Sequence, residues 1–158
     1  MKVAGRATQL AHEFDATMAE VIEIAESCSD EHWTRRHISE ERTVGVLFDH
    51  IAAGNDQAVG WASSFLGNRA VEVDPGLIDS ENAAHARETR DVPRSATIKR
   101  LQTSTRATSR FLHRLTDAQL EVIQTFGWLG PRDLAFVVIQ TCRHPQRHLQ
   151  SIREALQA

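Results

Sequence analysis

Four long segments of this chain repeat apolar residues at every third or fourth position, which is the spacing of a helix with one buried face. The segments cover about residues 6–27, 43–66, 94–115 and 131–156. None of them contains the unbroken apolar run that a membrane-spanning helix needs. We therefore expect an all-α fold, a four-helix bundle in which the four apolar faces meet.

The predicted helices are bounded by residues that commonly start or stop a helix. Thr43 is a good N-cap residue for the second helix, and Gly67 and Asn68 are expected to end it. The third helix follows Pro93, a residue suited to a first helical turn. Pro131, after a glycine, is expected to open the fourth helix.

The connection at 69–92 is the longest between two of these helices. A turn is predicted at 74–76, and a short helix is predicted at 81–87, capped by Asp79 or Ser80. A connection of this length can cross the whole bundle, so the second and third helices can run parallel. The predicted topology is therefore up-down-down-up, with the long crossover between helices two and three.

Composition narrows the class of protein. A chain of 158 residues with 41% hydrophobic and 25% charged residues is expected to form one globular domain, residues 1–158. Its net charge is −3 and no basic stripe is visible, so we predict a small-molecule substrate and no nucleic-acid partner. Only two cysteines, Cys28 and Cys142, and no signal-peptide pattern favour a reduced, cytoplasmic protein without a membrane partner.

Histidine is unusually frequent, with eight in the chain. His144 and His148 are four residues apart, so they lie one helical turn apart on one face, where two imidazoles can reach the same ion. With this many histidines, however, one pair at this spacing is close to what chance gives.

A third histidine makes the pair more informative. His50 lies seven residues past Thr43, roughly 10 Å into the second helix, and His148 lies roughly 14 Å from the end of the last. If these helices are antiparallel, His50, His144 and His148 come to a similar level. The sequence thus predicts a three-histidine site for a divalent metal ion. The alternative is that each histidine is a buried or surface residue with one hydrogen bond.

Pro145 follows the first histidine of the pair. Zinc proteases with the H-E-x-x-H motif have their general-base glutamate at that position, so a protease is excluded. A proline inside a helix also removes a backbone hydrogen bond, here toward Thr141. Either the resulting kink aims His144 and frees a carbonyl near the site, or it is a tolerated local bend.

For other residues the sequence gives weaker evidence of a place in the metal site. Gln57 and Trp61 share a face with His50 and are candidate substrate-binding residues at the mouth of a metal pocket, with core packing as the alternative. His85 could approach the metal from the long connection, but a surface position is the simpler interpretation. Cys142 should face away from the metal and join the core. The remaining histidines are interpreted as surface or loop residues: His12, His32, His37 and His113.

Four stretches of the sequence, in their order and spacing, resemble the DinB/YfiT-like superfamily of metal-dependent bacterial bundle proteins. They are RTVGVLFDHIA (42–52), IDSENA (78–83), FGWLGPRDLAFVVIQ (126–140) and RHPQRHLQSIREAL (143–156). The family has one histidine on its second helix and an H-x-x-x-H pair on its fourth. These positions fall on His50, His144 and His148.

The resemblance implies an up-down-down-up bundle, a bound zinc, nickel or similar divalent ion, and often a homodimer. Characterised members include mycothiol-dependent maleylpyruvate isomerase and transferases that use bacillithiol or similar thiols. The DNA-damage association in the family name does not by itself imply DNA binding.

Three neutral histidines leave coordination positions open, which is typical of catalytic rather than structural zinc. The leading hypothesis is that a low-molecular-weight thiol such as mycothiol or bacillithiol binds there, is activated by the metal, and serves an S-transferase or isomerase. One alternative is a hydrolase that uses metal-bound water, for which the sequence shows no convincing general base. Another is a non-catalytic metal-binding protein of a stress response.

Overall fold

The chain is described here from a computed structural model that covers residues 4–37 and 41–158. The described helices are α1 (Arg6–Ser27), α2 (Asp30–Thr34), α3 (Val44–Leu66), α4 (Pro75–Glu88), α5 (Arg94–Leu112) and α6 (Leu134–Gln157). Two short strands, β1 (Ile123–Thr125) and β2 (Pro131–Asp133), form an antiparallel hairpin. Single 3₁₀ turns cover Gln119–Glu121 and Gly127–Leu129.

The long helices α1, α3, α5 and α6 form the bundle, and contacts near their ends give their directions. Cys142 in α6 contacts Leu10 near the start of α1, and Arg153 near the end of α6 donates to Glu20 further along α1, so these two helices run parallel. Arg94, at the start of α5, donates to the carbonyl oxygen of Ala25 near the end of α1, so these two run antiparallel.

The other two neighbouring pairs complete the arrangement. The early parts of α3 and α5 meet where Thr97 donates to Asp49, so these helices are parallel. The early part of α3 meets the late part of α6 where the rings of His50 and His148 are in contact, so these are antiparallel. The predicted all-α, up-down-down-up four-helix bundle is therefore confirmed.

The core lies between the four long helices. Its largest fully buried side chains come from α1, α3, α5, α6 and the turn before β1. These side chains are Phe14, Met18, Val21, Val44, Leu47, Phe48, Ile51, Phe65, Leu101, Leu120, Leu134 and Ile152. The buried face of α5 combines apolar and small polar side chains: Thr97, Leu101, Ser104, Thr108 and Leu112.

The crossover helix begins earlier than predicted. Asp74, Pro75 and Gly76 were expected to form a turn, but Asp74 is instead the N-cap of α4 and accepts a hydrogen bond from the backbone of Leu77 at 2.9 Å. Pro75 takes the first helical position, where its missing N–H costs nothing. The pattern of a helix start was therefore misinterpreted as a turn.

The last helix begins later than predicted. Pro131 belongs to β2, and α6 starts at Leu134 because Asp133 caps it, accepting from the backbone of Phe136 at 2.9 Å. The hairpin turns at Gly130, whose φ of 70° is in the left-handed region that glycine tolerates. The helix then continues through Pro145 as one element.

A short helix in the first connection was not predicted. Ser29 caps α2 by accepting from the backbone of His32 at 3.1 Å. The helix brings Trp33 onto α3, where its ring stacks on Phe48 at 5.3 Å between centroids. Across residues 4–37 and 41–158, no helix has the length and apolar character to cross a membrane.

Candidate metal centre

The antiparallel pairing of α3 and α6 brings three histidines together. The ring centroids of His148 are 4.7 Å from those of both His50 and His144, and the latter two are 5.0 Å apart. Nε2 of His144 lies 3.2 Å from Nε2 of His50. One ring nitrogen from each histidine can be chosen so that all lie within 4.8 Å of one another.

These imidazoles are held neutral. Burial, with smaller contributions from neighbouring groups such as Arg42, lowers the pKa of His50 to about 2, of His144 to about 3 and of His148 to about 4. A neutral imidazole is the form that coordinates a metal, since its lone pair is available. The neutral protonation state of the cluster therefore suits metal coordination.

The spacing also fits an ion. Two nitrogens that each lie about 2.05 Å from a tetrahedral zinc are about 3.3 Å apart, close to the separation of the two Nε2 atoms. Nδ1 of His144 is buried without a hydrogen-bond partner in the described residues, and such atoms are rare in folded proteins. The three predicted ligands are thus brought together, while their binding of a metal stays a prediction.

Gly54, one turn after His50 on α3, provides the space for one of these rings. A Cβ atom at this position would lie 2.2 Å from Cε1 and 2.6 Å from Nδ1 of His144. Neither distance is possible between unbonded atoms, so any side chain here would displace the imidazole. Gly54 is four residues after His50 and therefore shares its helix face, but the sequence does not indicate this role.

A charged network lies directly behind the histidines. Asp49 is only 2% exposed and accepts hydrogen bonds from Nε2 of His85 at 2.8 Å, from Thr97 at 3.4 Å and from Arg100. Burial alone would raise the pKa of Asp49, but the His85 hydrogen bond and the Arg100 charge outweigh it and hold the pKa below its usual value. Asp49 is therefore an ionised carboxylate.

The surface position expected for His85 is not what the structure has. Its ring lines the same cavity as the histidine cluster and lies 5.6 Å from the ring of His50, edge to face. Because Asp49 is ionised and can only accept, Nε2 of His85 carries a proton, and in the neutral form of the ring Nδ1 has the lone pair. Nδ1 has no hydrogen-bond partner in the described residues. The position of His85 in the cavity could hardly be predicted from the sequence, because α4 has no buried residue that would show which of its faces points inward.

The cluster lines a cavity of about 520 Å³. Gln57 and Trp61 also line it, but Gln57 donates to Glu81 at 3.2 Å and Trp61 packs edge-on against Phe126 at 5.1 Å, and their binding of a substrate stays a prediction. The remaining apolar wall was not predicted, because it comes from the hairpin region, α4 and the start of α6. Its members are Ile78, Phe126, Trp128, Leu129, Phe136 and Val137.

The same cavity has a cationic side. Arg42 and Arg147 line it together with the histidines, and both lower the pKa of His148. Away from the cavity, Cys142 packs against α1, with Sγ 3.4 Å from the carbonyl oxygen of Leu10, and burial raises its pKa to about 12. Cys142 is a core residue, as expected.

The family model of the DinB superfamily matches residues 13–152 of this sequence. The chain belongs to the DinB superfamily. No curated protein matches the sequence closely enough to extend this DinB assignment to a reaction.

Solved structures share the DinB fold at low sequence identity. YfiT from Bacillus subtilis, described as "a probable metal-dependent hydrolase with an unusual four-helix bundle topology", is 14% identical with a TM-score of 0.78, over 99% of this chain and 90% of YfiT. An uncharacterised protein from Escherichia coli UTI89 is 12% identical with a TM-score of 0.76, over 98% of this chain and 95% of its own.

A third similar structure corrects one prediction. The colibactin self-resistance protein ClbS is 9% identical with a TM-score of 0.76 over 99% of each chain, and its structure is a complex with double-stranded DNA. The prediction that excluded a nucleic-acid partner is therefore wrong. The absence of a basic stripe in the sequence does not exclude DNA for this fold.

Proposed function

We propose that this DinB-superfamily chain is a metal-dependent hydrolase of a small substrate, with His50, His144 and His148 as the metal ligands. The observation that supports this most is the pairing of the three-histidine cluster with His85 in one cavity. A hydrolase needs both a metal site with open positions and a group that takes a proton from water. The description of YfiT as a probable metal-dependent hydrolase agrees with this choice.

In this proposal the three histidines bind the metal and other residues hold them in place. The three histidines hold a divalent ion, with zinc or nickel the best candidates among the metals that imidazole binds. Such an ion lowers the pKa of a coordinated water and so supplies a hydroxide near neutral pH. His144 is kept in place by the space at Gly54, and the bundle helices fix the other two rings.

His85 is the proposed proton acceptor. Nδ1 is the atom that can take the proton, since Nε2 donates to Asp49. The ionised Asp49 then faces a positive ring, and Arg100 and Thr97 keep its carboxylate oriented. This Asp–His pair supplies the general base that the sequence alone did not reveal.

The cavity also restricts the substrate. Its aromatic wall, including Trp61 and Trp128, favours an apolar or aromatic group, and Gln57 at the exposed side offers a polar contact. Arg42 and Arg147 beside the histidines favour a negatively charged group near the metal. We infer a small ester or amide with an apolar body and an anionic end.

Elemental analysis and activity screening test this proposal. Protein purified without a histidine tag should contain zinc or nickel, and a panel of small esters and amides with carboxylate ends should include a substrate. His148→Ala should lose both the metal and the activity. His85→Gln should retain the metal but lose roughly 10²–10⁴-fold in turnover, the usual contribution of a general base. A His85→Gln enzyme with unchanged turnover would contradict the assignment of the base.

The second candidate is transfer or isomerisation dependent on a thiol such as mycothiol or bacillithiol. The cationic side of the cavity favours it, because Arg42 and Arg147 can bind the carboxylate groups that low-molecular-weight thiols carry. Isothermal titration of the metal-loaded protein with mycothiol, bacillithiol and glutathione distinguishes the candidates. Binding of one thiol that disappears in Arg147→Ala supports the transferase, and absence of binding to all of them excludes it.

A non-catalytic role and other partners are tested alongside. If neither hydrolysis nor thiol binding is found in metal-loaded protein, a metal-binding function in a stress response becomes the remaining proposal. Because ClbS was solved with double-stranded DNA, an electrophoretic mobility shift with a DNA duplex belongs in the same series. Analytical ultracentrifugation tests the homodimer that the resemblance implies.

A further inference from the structure

A second cluster of ligand side chains lies outside the cavity. His12 and Asp15 are on α1, and His113 is the C-cap residue of α5. Nε2 of His113 is 2.7 Å from Oδ2 of Asp15, and the rings of His12 and His113 meet edge to face at 5.2 Å. One ligand atom from each residue can be chosen so that all lie within 4.8 Å of one another.

The fold explains why His12, Asp15 and His113 are adjacent. His12 and Asp15 are three residues apart on a helix and therefore point to the same side. The antiparallel packing of α1 and α5 brings the end of α5 to that side. The C-terminus of a helix has a partial negative charge, so a cation beside His113 is favoured there as well.

We propose that His12, Asp15 and His113 form a second, surface site for a divalent transition-metal ion such as zinc. Two imidazoles and a carboxylate are ligands that zinc takes readily, with water at the fourth position. His113 is about 20 Å along α5 from Arg100, which is beside the first cluster, so the two sites are separate. Both ions can therefore be bound at once.

An ion at this site would replace the proton between His113 and Asp15. Ligands of a tetrahedral zinc are about 3.3 Å apart, so the present 2.7 Å contact has to lengthen by about 0.6 Å. The two side chains are 38% and 37% exposed and can rotate by that amount. Since the ligands come from two helices, the ion would cross-link α1 to α5, and we infer a stabilising role rather than a catalytic one.

Zinc titration of the full chain followed by calorimetry tests the proposal. The wild-type protein should bind two ions, and His144→Ala should bind one. Adding His113→Gln to His144→Ala should abolish binding, although the glutamine amide can still donate to Asp15. His32→Gln, which changes a half-buried histidine outside both clusters, is the matched control and should leave the stoichiometry unchanged.

The outcomes separate this site from the proposed function. If the wild type binds one ion that His144→Ala abolishes, the cavity site stands and the surface site is wrong. If His144→Ala binds as many ions as the wild type and His113→Gln binds fewer, the surface site stands and the cavity site fails.

Histidine-ring NMR of the wild-type chain covers the case in which a variant does not fold. Zinc should shift the ring signals of His12 and His113 together. Ring signals of both residues that stay unshifted at saturating zinc would overturn the proposal.

Discussion

At the scale of residues, the candidate site depends on a few side chains whose surroundings differ from those of ordinary surface groups. The three histidines of the cavity could be predicted from spacing, because helical periodicity fixes which residues share a face. Gly54 and His85 could not be predicted in the same way. The role of Gly54 depends on a ring from another helix, and that of His85 depends on how a helix without buried residues docks.

Substitution of Gly54 by alanine tests the close packing of His144. The new Cβ has to displace the imidazole, so we expect metal affinity to fall roughly 10–100-fold, the usual effect of disturbing the support of a ligand. Gly60→Ala is the matched control on α3, because a Cβ there meets nothing within 4 Å. Calorimetric titration should show normal affinity for Gly60→Ala. Equal affinities for the two variants would mean that Gly54 has no such role.

The buried histidines predict how the metal-free protein responds to acid. Their pKa values in the fold are about 2 to 4, below the ordinary value of 6.5, so only the unfolded chain takes up their protons as the pH falls below 6.5. Stability from this source is complete above about pH 6.5 and declines toward pH 4. The urea midpoint of metal-free protein should therefore be lower at about pH 5 than at about pH 7.5, a window in which most carboxylates stay ionised.

A variant shows whether the histidines cause this decline. His50→Leu removes the group with the lowest pKa of the three and should make the change of midpoint with pH shallower. An equally steep change in His50→Leu would assign the effect to groups outside the cluster.

At the scale of elements, α1 and α3 were predicted almost to the residue, whereas α5 ends three residues earlier and α6 begins three residues later than predicted. α3 has its cap, Thr43, and its apolar stripe in its own sequence, so local rules are sufficient for it. α1 has a local apolar stripe but no local side-chain cap, and Asp117 accepts a hydrogen bond from the backbone of Ala7 in its first turn at 2.8 Å. The start of α6 was misplaced because Gly130 and Pro131 form a hairpin that is held by another part of the chain. Gly127 donates to the carbonyl oxygen of Val71 at 2.8 Å, a pairing that no local pattern contains.

The two aspartate caps should differ in their effect on stability. Asp133→Ala removes the N-cap of α6, a core helix, and should cost about 1 kcal/mol in the global free energy of unfolding. Asp74→Ala removes the N-cap of α4, which has no buried residue, so its cost should appear as local opening of α4. Urea unfolding and amide hydrogen exchange measure the two effects. A larger loss of global stability in Asp74→Ala than in Asp133→Ala would contradict this ranking.

At the scale of the whole molecule, the crossover after α3 is what makes the cavity cluster possible. It lets α3 and α5 run parallel, so that α6 returns antiparallel to α3 and its late histidines reach the level of His50. The same topology brings the ends of α1 and α5 together at the second cluster. The directions of the helices could be predicted from the length of one connection. The residues of the cavity wall could not, because several of them lie in the hairpin region, whose fold the sequence does not indicate.

A metal that binds only the folded chain should raise its melting temperature. At a free metal concentration about 100 times Kd the gain is about 2.7 kcal/mol, which for a chain of this size corresponds to about 5–10 °C. Calorimetric melting with zinc or nickel and with EDTA measures it. The shift should become smaller in His144→Ala, and an unchanged melting temperature on adding metal to the wild type would argue against metal binding.

The candidate metal ligands and the apolar wall of the cavity lie on different kinds of structural element. The candidate ligands are on long helices whose positions the core fixes, while much of the apolar wall comes from α4 and the hairpin region, which lie in connections between those helices. Connecting segments tolerate insertion and sequence drift far better than core helices do. A lineage with this architecture can therefore change the lining of the cavity through residues 69–92 (apart from His85) and 116–133 while inheriting the same candidate metal ligands. Those two stretches are where engineered changes of selectivity should be concentrated.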